Sequence, residues 1–219
     1  MPERKDTIGA THEFHNRAYA HWWAERFAIT SERLECFMHI GDLAETAPPK
    51  DRSFLELGTG PGFLAHYLLG RFPLVRYHCV DYSDAMLTIA KEKLGVFGSR
   101  VTYQQIDLCD TSWHQNVERG WSAIVSTWAL HDLNSEKSIR LVYKACASLL
   151  RKGGILINAD FIKPDDVSLP FEPGRILVSS HLNHLKEAGF KEVGCTNAFE
   201  MNSASPASHN NYACLKGQI

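Results

Sequence analysis

A short glycine-rich segment is the first place where this sequence could bind a ligand. Residues 58–62 read Gly-Thr-Gly-Pro-Gly and directly follow an apolar run that contains one acid, Glu56. Glycine adopts positive φ and lets a ligand lie against the main chain, and a helix that starts after such a turn offers unpaired N–H groups. The segment therefore predicts a backbone-lined site for a nucleotide-like ligand.

The glycine spacing separates two ligand classes. A dinucleotide site has the pattern Gly-x-Gly-x-x-Gly, in which the third glycine packs the helix on the strand. Here Gly62 comes one residue early, and Glu56 lies two residues before the first glycine. A carboxylate at that position suits a cationic group better than a pyrophosphate. NAD or NADP nevertheless stays an alternative on these residues alone.

Further polar residues close the predicted strands that follow. Asp81 and Asp107 end the second and third strands, and Ser126 lies near the end of the fourth. Ligands of open α/β sheets bind outside the carboxyl ends of the strands, near the point where strand order reverses. Asp81 lies roughly 20 residues after the glycine turn, a separation at which a carboxylate accepts hydrogen bonds from ribose hydroxyls. NAD would use such an acid equally well.

The elements that must position these residues follow from the periodicity. Strand-like and helix-like segments alternate from residue 53 onward, which predicts a mostly parallel sheet with helices on both faces. Ser83 caps one of the helices, Asn134 or Ser135 caps another, and Gly153-Gly154 ends the latter. We expect strands at residues 54–57, 77–80, 101–106, 121–127, 155–162, 190–196 and 212–216.

The stretch 56–62, Glu-Leu-Gly-Thr-Gly-Pro-Gly, closely resembles the first motif of class I S-adenosylmethionine-dependent methyltransferases. Residues 80–87, Val-Asp-Tyr-Ser-Asp-Ala-Met-Leu, resemble the second motif of the small-molecule members. The resemblance covers about residues 50–216, although only these motifs and the following acid are specific. It implies a doubly wound α/β fold with a seven-stranded sheet whose last strand is antiparallel, and S-adenosylmethionine as the cofactor.

The same resemblance implies a role for each position of the cofactor site. Asp81 would bind the ribose with Tyr82 beside it, Asp107 would accept a bond from the adenine amino group, and Leu108 would donate its backbone N–H to the ring. Met86 would pack on the adenine, or serve as plain core. The cofactor-binding residues expected are Glu56, Gly58, Thr59, Gly60, Asp81, Tyr82, Met86, Asp107, Leu108 and Ser126.

Residues 126–133, Ser-Thr-Trp-Ala-Leu-His-Asp-Leu, resemble the post-strand loop of quinone- and small-metabolite methyltransferases. His131 is the candidate general base, because its unperturbed pKa near 6.5 suits proton transfer. It could instead only hydrogen-bond the loop or the substrate, and Asp132 could cap the next helix or orient the ring. Catechol-type, metal-dependent methyltransferases have an acid at the end of this strand, where this sequence has Ser126, so the resemblance implies no divalent metal. The expected substrate-binding residues are Tyr19, Trp23, Trp128 and His131.

The first fifty residues are the best candidate for a lid. Tyr19, Trp22, Trp23 and Phe27 recur at helical spacing and form an aromatic stripe, which could also be ordinary core. Since adjacent tryptophans cannot both face inward, one of them should point across the mouth of the site. We expect one methyltransferase domain over 1–219, with a helical lid at 1–50 and an α/β core at 51–219. Arg33 is a weaker candidate, which could reach the methionine carboxylate.

Composition excludes several other classes. A length of 219 residues suits one domain, and a formal charge of -2 gives no electrostatic footprint for duplex DNA or long RNA. The six cysteines have no metal-ligand spacing and suggest a reducing compartment. The sequence has no apolar run long enough for a membrane span, so we expect a cytoplasmic protein. The histidine pairs His12/His15 and His181/His184 lack a third ligand and are expected to be exposed polar side chains.

The sequence therefore predicts a methyltransferase that moves a methyl group from S-adenosylmethionine to an O or N nucleophile of a small molecule. Two alternatives stay open at this point. One is an NAD(P)-dependent oxidoreductase, and the other is a non-catalytic cofactor-binding protein of the same fold. The sequence does not define the substrate, the acceptor atom or the oligomeric state.

Overall fold

The computed structural model describes residues 12–26, 29–164, 171–199 and 211–219. Its centre is a seven-stranded sheet in the order β3-β2-β1-β4-β5-β7-β6. β1 to β5 run parallel, whereas β7 lies antiparallel between β5 and β6. The expected fold class is confirmed. The strands are β1 Ser53–Leu57, β2 Arg76–Asp81, β3 Val101–Gln105, β4 Trp121–Thr127, β5 Leu150–Phe161, β6 Gly194–Phe199 and β7 Tyr212–Gln218.

Helices cover both faces of the sheet because the buried strands are apolar on both sides. In β1, Phe54 packs in the cluster formed with α2 and α3, while Leu55 and Leu57 face the cluster formed with α5 and α6. Short 3-10 turns occur at Glu13–His15, Gly95–Arg100, Trp113–Asn116 and Leu130–Leu133. The helices are α1 Arg17–Arg26, α2 Ser31–Glu45, α3 Phe63–Arg71, α4 Asp84–Leu94, α5 Glu136–Leu149 and α6 Val178–Glu187.

Serine side chains cap two helices as the sequence indicated. The Ser83 hydroxyl accepts a hydrogen bond from the Met86 N–H at 3.1 Å and begins α4. Ser135, rather than Asn134, caps α5 by accepting from the Ser138 N–H at 3.3 Å. Each cap satisfies an amide that the first helical turn leaves unpaired. The caps fix the exits from β2 and β4, where site residues were expected.

The boundary between α5 and β5 differs from the prediction. β5 begins at Leu150, five residues before the predicted start, so Gly153 and Gly154 lie inside the strand and do not end the helix. The register between β4 and β5 shifts between Trp121 and Ala123. A Cβ on Gly154 would lie 2.8 Å from the Arg151 carbonyl oxygen and 3.0 Å from that of Trp121. The glycines therefore allow a bulge in a tightly packed strand.

The C-terminal strands also extend differently. β6 starts at Gly194, four residues after the predicted start, and β7 runs two residues beyond the predicted end. The sequence also predicts a loosely held segment at 1–12 and a loop at 202–210. Residues 1–11 and 200–210, and the stripe residue Phe27, lie outside the described residues. No helix in the described part of the chain is long and apolar enough to cross a membrane.

The histidine pairs are less exposed than predicted, since His12, His15 and His184 are only partly exposed and the prediction for His181 was wrong. His181 is fully buried, because it lies on the inner face of α6, where it packs against Tyr143 of α5. The Tyr143 hydroxyl lies 2.7 Å from His181 Nδ1 and accepts from Asn158 Nδ2 at 3.0 Å. Burial lowers the pKa of His181 to about 4, so its ring is neutral and accepts the tyrosine proton. This is a structural network. His184 is only half-buried and contacts Glu136 at 2.8 Å.

The N-terminal helices are held unequally. α2 packs into the core through Phe37 and Ile40, and Arg71 of α3 bonds Asp42 of α2 at 2.8 Å. Gly41 lets that arginine lie close against the helix, since a Cβ there would be 2.7 Å from Arg71 Nη1. By contrast, α1 buries only Ala20 fully and contacts mainly α4 and the turn before it. α2 is thus part of the core, and α1 is an outer layer.

Replacing Tyr143 with phenylalanine should destabilise the fold. The change leaves His181 Nδ1 and Asn158 Nδ2 buried without their partner, which costs about 1–3 kcal/mol of unfolding free energy. Urea denaturation measures the loss. Tyr103→Phe is the matched control, because the Tyr103 hydroxyl makes no hydrogen bond within the described residues, and it should change stability by less than about 0.5 kcal/mol. Equal stabilities of the two variants would contradict the role given to the network.

Candidate active site

A cleft runs along the carboxyl ends of the central strands. It contains a cavity of about 530 Å³ and, beside it, a smaller one of about 100 Å³. Both are lined by Phe14, Gly58, Trp128 and Asp132, so they form one continuous space. β1 lies between β2 and β4, where the strand order reverses. The cleft therefore lies where open α/β sheets bind their ligands.

The surroundings of the three glycines in the turn differ. All have positive φ, at 67° for Gly58, 54° for Gly60 and 81° for Gly62. A Cβ on Gly58 would lie 2.3 Å from the Ala129 Cβ, and one on Gly62 would press against Ala90 and Leu94 of α4. Gly60 instead faces open space, with no atom within 4 Å of a Cβ. The main chain at Gly60 is thus free for a ligand to approach.

Asp81 connects the end of β2 to this turn. Its carboxylate accepts the Gly60 N–H at 2.7 Å through Oδ2 and the Ser83 N–H at 2.8 Å through Oδ1. Burial raises the pKa of Asp81, and these two amides oppose that effect. A carboxylate can accept about four hydrogen bonds, so capacity is left for a ligand. Asp81 both shapes the turn and lines the smaller cavity.

Glu56 lies deeper, at the end of β1, and lines the larger cavity. Its side chain is almost fully buried, and its Oε2 accepts a hydrogen bond from the Tyr77 hydroxyl at 2.9 Å. Burial raises the pKa of Glu56 to about 8, with a further contribution from Asp81. A cation in the cavity would favour the ionised form. Glu56 is thus suited to a positively charged ligand group.

The structure brings most of the predicted cofactor residues together. Tyr82, Met86, Asp107 and Leu108 line the smaller cavity with Asp81, and Thr59 lines the larger one with Gly58. Met86 also packs against Ala20 of α1. Its side chain therefore forms part of the floor of the site and part of the core.

Ser126 lies apart from this group. It is fully buried within β4, and its hydroxyl donates to the Leu57 carbonyl oxygen at 2.9 Å. It is absent from the lining of both cavities, which Thr127 and Trp128 reach instead. Side chains alternate along a strand, so a shift of one residue moves a side chain to the other face. In this geometry Ser126 joins two strands, and its predicted place in the cofactor site has no support.

His131 is held by an acid that the sequence analysis did not identify. Asp160, near the end of β5, accepts the backbone N–H of His131 at 2.9 Å and contacts its ring Nδ1 at 2.7 Å. Asp160 is fully buried and also accepts the Phe161 N–H. A carboxylate at Nδ1 fixes the ring proton there, which leaves Nε2 to face the cleft. The sequence carried one signal for Asp160. It is a single acid within an apolar strand, and a buried acid needs hydrogen-bond partners.

Asp132 occupies the other side of the imidazole. Its Oδ1 lies 3.2 Å from His131 Nε2, and the side chain lines both cavities. Burial lowers the pKa of His131, but the charges of Asp160 and Asp132 outweigh it and raise that pKa above 6.5. Burial raises the pKa of Asp132 to about 6, although His131 opposes the shift. The two groups form one coupled proton-binding pair. Two roles were expected for Asp132, and other residues have both of them. Ser135 caps the next helix, and Asp160 makes the contact that orients the His131 ring.

Aromatic side chains form the walls on the β4 side. Trp128 has a positive φ of 47°, and its ring lies 5.7 Å from Tyr212, 6.1 Å from Phe37 and 6.4 Å from Phe161. Its indole Nε1 is buried without a hydrogen-bond partner in the described part of the chain. A buried donor without an acceptor destabilises the folded state until another group accepts its hydrogen bond. The Arg33 guanidinium lies 5.3 Å from the Trp128 ring and lines the same cavity.

The N-terminal elements cover the other side of the cleft. The Ser83 hydroxyl donates to the Phe14 carbonyl oxygen at 2.5 Å, and the His15 ring contacts Tyr82 edge-on. Trp23 lines the larger cavity, as expected, while Trp22 is 47% exposed. Tyr19 packs against Phe14 and Trp22 and is absent from the lining of both cavities. Its predicted contact with a substrate has no support in this geometry.

Among the described residues, no group of three His, Cys, Asp or Glu side chains is placed to hold a metal ion.

Comparison with known proteins agrees with this geometry. A family model described as a methyltransferase domain matches residues 55–156, which include the glycine turn, Asp81 and His131. The resemblance to the class I S-adenosylmethionine-dependent methyltransferases is thus confirmed.

Individual relatives are more distant. The chain is 33% identical over 136 residues to an uncharacterized methyltransferase of Bacillus cytotoxicus, covering 60% of this chain and 58% of that protein. It is 30% identical over 124 residues to a malonyl-[acyl-carrier protein] O-methyltransferase of Priestia megaterium, covering 56% and 41%. It thus spans about half the length of these curated relatives. The N-methyltransferase NodS of Bradyrhizobium japonicum, solved with S-adenosylhomocysteine, shares the fold at 15% identity, with a TM-score of 0.67 and coverage of 88% and 90%.

Removing the Asp81 carboxylate should weaken binding of S-adenosylhomocysteine, measured by calorimetry. Hydrogen bonds to a charged acceptor contribute about 1.5–3 kcal/mol each, so losing two in Asp81→Ala predicts an affinity at least about 100-fold lower. Asp110→Ala is the matched control, because Asp110 lies in the next loop, accepts from Ser112 and is absent from both cavity linings. Its affinity should stay within about twofold of the wild type. Similar affinities for both variants would refute the ribose assignment.

Proposed function

We propose that this protein transfers the sulfonium methyl group of S-adenosylmethionine to an O or N atom of a small molecule. The observation that carries the proposal is the meeting, in one cleft, of the glycine turn with its acids and the His131–Asp132 pair. The first group suits a nucleoside with a cationic tail, and the second can take a proton. The reaction requires both, side by side.

We place the cofactor along the carboxyl edge from β3 to β1. The adenine would lie in the smaller cavity near Asp107 and Leu108, and the ribose hydroxyls would bind Asp81. The ammonium of the methionine part would face Glu56, and the main chain at Gly60 would lie against the ligand. Two features favour such a ligand: the open space at Gly60 and the buried acids that a positive charge would stabilise.

The residues of the chain contribute mainly positioning and a proton acceptor. Methyl transfer needs the nucleophile, the methyl carbon and the sulfur in line, so alignment in a dry cleft supplies much of the rate. Nε2 of His131 with Asp132 would take the acceptor proton as the C–S bond breaks and the new bond forms. Asp160 keeps the Nδ1 proton in place, as in other sites where an acid fixes the tautomer of a base.

We further propose that residues 12–26 form the lid. Phe14 and Trp23 line the cavity from above, while α2 is fixed in the core. This narrows the expected lid at 1–50 to its first helix and the preceding turn. A cleft cavity of about 530 Å³ favours a small acceptor over a nucleic acid or a membrane. All six cysteines are free, which supports a cytoplasmic location.

The alternative of an NAD(P)-dependent oxidoreductase has less support. Its pyrophosphate would lie near Glu56, a buried acid that raises the cost of anion binding. The family match also favours the methyl donor.

Ligand-dependent thermal stability tests the proposed cofactor. S-adenosylhomocysteine at about 100 times its dissociation constant should add about 2.7 kcal/mol and raise Tm by roughly 5–10 °C. NAD and NADP at the same concentration should leave Tm unchanged. A shift with NAD and none with S-adenosylhomocysteine would replace this proposal with the oxidoreductase.

Replacing His131 with alanine should slow methyl transfer to the best acceptor found among small phenols and amines. General-base help is worth about 10²- to 10⁴-fold, so kcat should fall by at least about 10²-fold with unchanged affinity for S-adenosylhomocysteine. Two proximal carboxylates raise the pKa of His131, so wild-type kcat should rise with pH through an apparent pKa above 6.5. Below that pH the His131–Asp132 pair is already protonated and cannot take a proton from the acceptor.

His66→Ala is the matched control, because His66 is exposed on α3 outside the cavities and its loss should leave kcat and its pH dependence unchanged. If His131→Ala keeps kcat within a few-fold and retains the acidic limb, the histidine has no role as a base.

A further inference from the structure

We infer that the acceptor is a planar aromatic hydroxyl compound, a phenol, stacked among four aromatic side chains with its hydroxyl facing the His131–Asp132 pair. The inference rests on the proposed function and specifies its substrate class. The four side chains are called the aromatic box: Phe37, Trp128, Phe161 and Tyr212, all of which line the larger cavity.

The strand order places the aromatic box beyond the cofactor. The cofactor residues lie at β3, β2 and β1, while Trp128 follows β4, Phe161 ends β5 and Tyr212 begins β7. Phe161 and Tyr212 are register partners, and Phe37 reaches the cavity from α2. The methyl carbon at the end of the methionine part would therefore face the box. The acceptor must occupy this space.

The four rings of the aromatic box contact one another and form one continuous wall of the cavity, against which a flat ring can lie. Trp128 lies 5.7–6.4 Å from the other three rings at tilted or edge-on angles, and Phe161 also contacts the His131 ring edge-on at 4.9 Å. Aromatic rings favour these offset and edge contacts with another ring. Phe161 contacts both the box and the histidine, so a ring held there lies next to the proton acceptor.

The proton acceptor narrows the class of nucleophile. A carboxylate acceptor has no proton to lose and would be repelled by Asp132, which makes the His131–Asp132 pair unnecessary. An aliphatic alcohol loses its proton far less readily than a phenol, whose pKa is near 10. A phenol both needs a base and lies within reach of an imidazole held between two carboxylates.

An aromatic amine gains less from the His131–Asp132 pair than a phenol does. The nitrogen of an aniline is neutral and has a free lone pair, so it can attack the methyl carbon before any proton is lost. A phenol becomes a strong nucleophile only as its proton leaves, so the proton acceptor beside the aromatic box favours the phenol.

The bonds and charges of this step balance. The phenol oxygen forms a bond to the methyl carbon as the carbon–sulfur bond breaks, and the electron pair of that bond goes to sulfur. The hydroxyl proton goes to the His131–Asp132 pair and from there to water. The products are an aryl methyl ether and S-adenosylhomocysteine.

Three matched acceptors test the class: p-propylphenol, p-propylaniline and p-propylcyclohexanol. Each is incubated with the full chain and S-adenosylmethionine, and the methylated product is identified by mass. We expect kcat/KM for the phenol to exceed that for the aniline at least about tenfold, and no product from the cyclohexanol. Phe161→Leu should raise KM for the phenol about tenfold, with affinity for S-adenosylhomocysteine within about twofold of wild type.

Phe97→Leu makes the same chemical change outside the cavities, where Phe97 contacts His66 and Arg100, and should leave KM unchanged. Preference for the aniline, or equal rates with the cyclohexanol, overturns the inference. So does the absence of phenol product from a protein that binds S-adenosylhomocysteine, a result that leaves the proposed methyl transfer standing. If the protein does not bind S-adenosylhomocysteine, the result contradicts both the proposed function and this inference.

Discussion

The arrangement of the cleft depends on how closely the turn after β1 approaches the loop after β4. Gly58 and Ala129 are so near that a Cβ on the glycine would lie only 2.3 Å from the alanine Cβ. Because neither segment can retreat without disturbing its strand, the loop that carries Trp128 and His131 lies directly against the turn that carries Gly60. The missing side chain of one residue thus sets the separation of the two halves of the site.

Around that contact the cleft concentrates acids that would be costly in an empty protein interior. Glu56, Asp81 and Asp160 are buried or nearly so, and each is compensated by donors: a tyrosine hydroxyl, backbone amides and an imidazole. Hydrogen bonds from these donors reduce the free-energy cost of burying a carboxylate, but they do not remove that cost. A cationic ligand would complete the compensation, so the site is electrostatically prepared for the positive charge of a sulfonium and an ammonium.

Local sequence patterns predicted those residues whose role depends only on their own strand or turn. The glycine turn, Asp81, the helix caps and the alternation of strands and helices follow from spacing and composition, and the structure confirms the fold class. Asp160 did not follow, since its importance arises from a loop about thirty residues away along the chain. The extended start of β5 and the inward position of Ser126 depend on register against β4 and β1, which no local pattern encodes. His181 is buried because of α5, a partner distant in sequence.

The strand order has a consequence for how such a protein diverges. The proposed cofactor residues come from β1, β2 and β3, whereas the aromatic box comes from the ends of β4, β5 and β7 and from α2. Substitutions in groups that share no contacts have nearly independent effects. A lineage can therefore exchange Phe161 or Tyr212 and acquire a new acceptor while its donor site stays intact, provided that Gly58 and Ala129 continue to hold the two halves together.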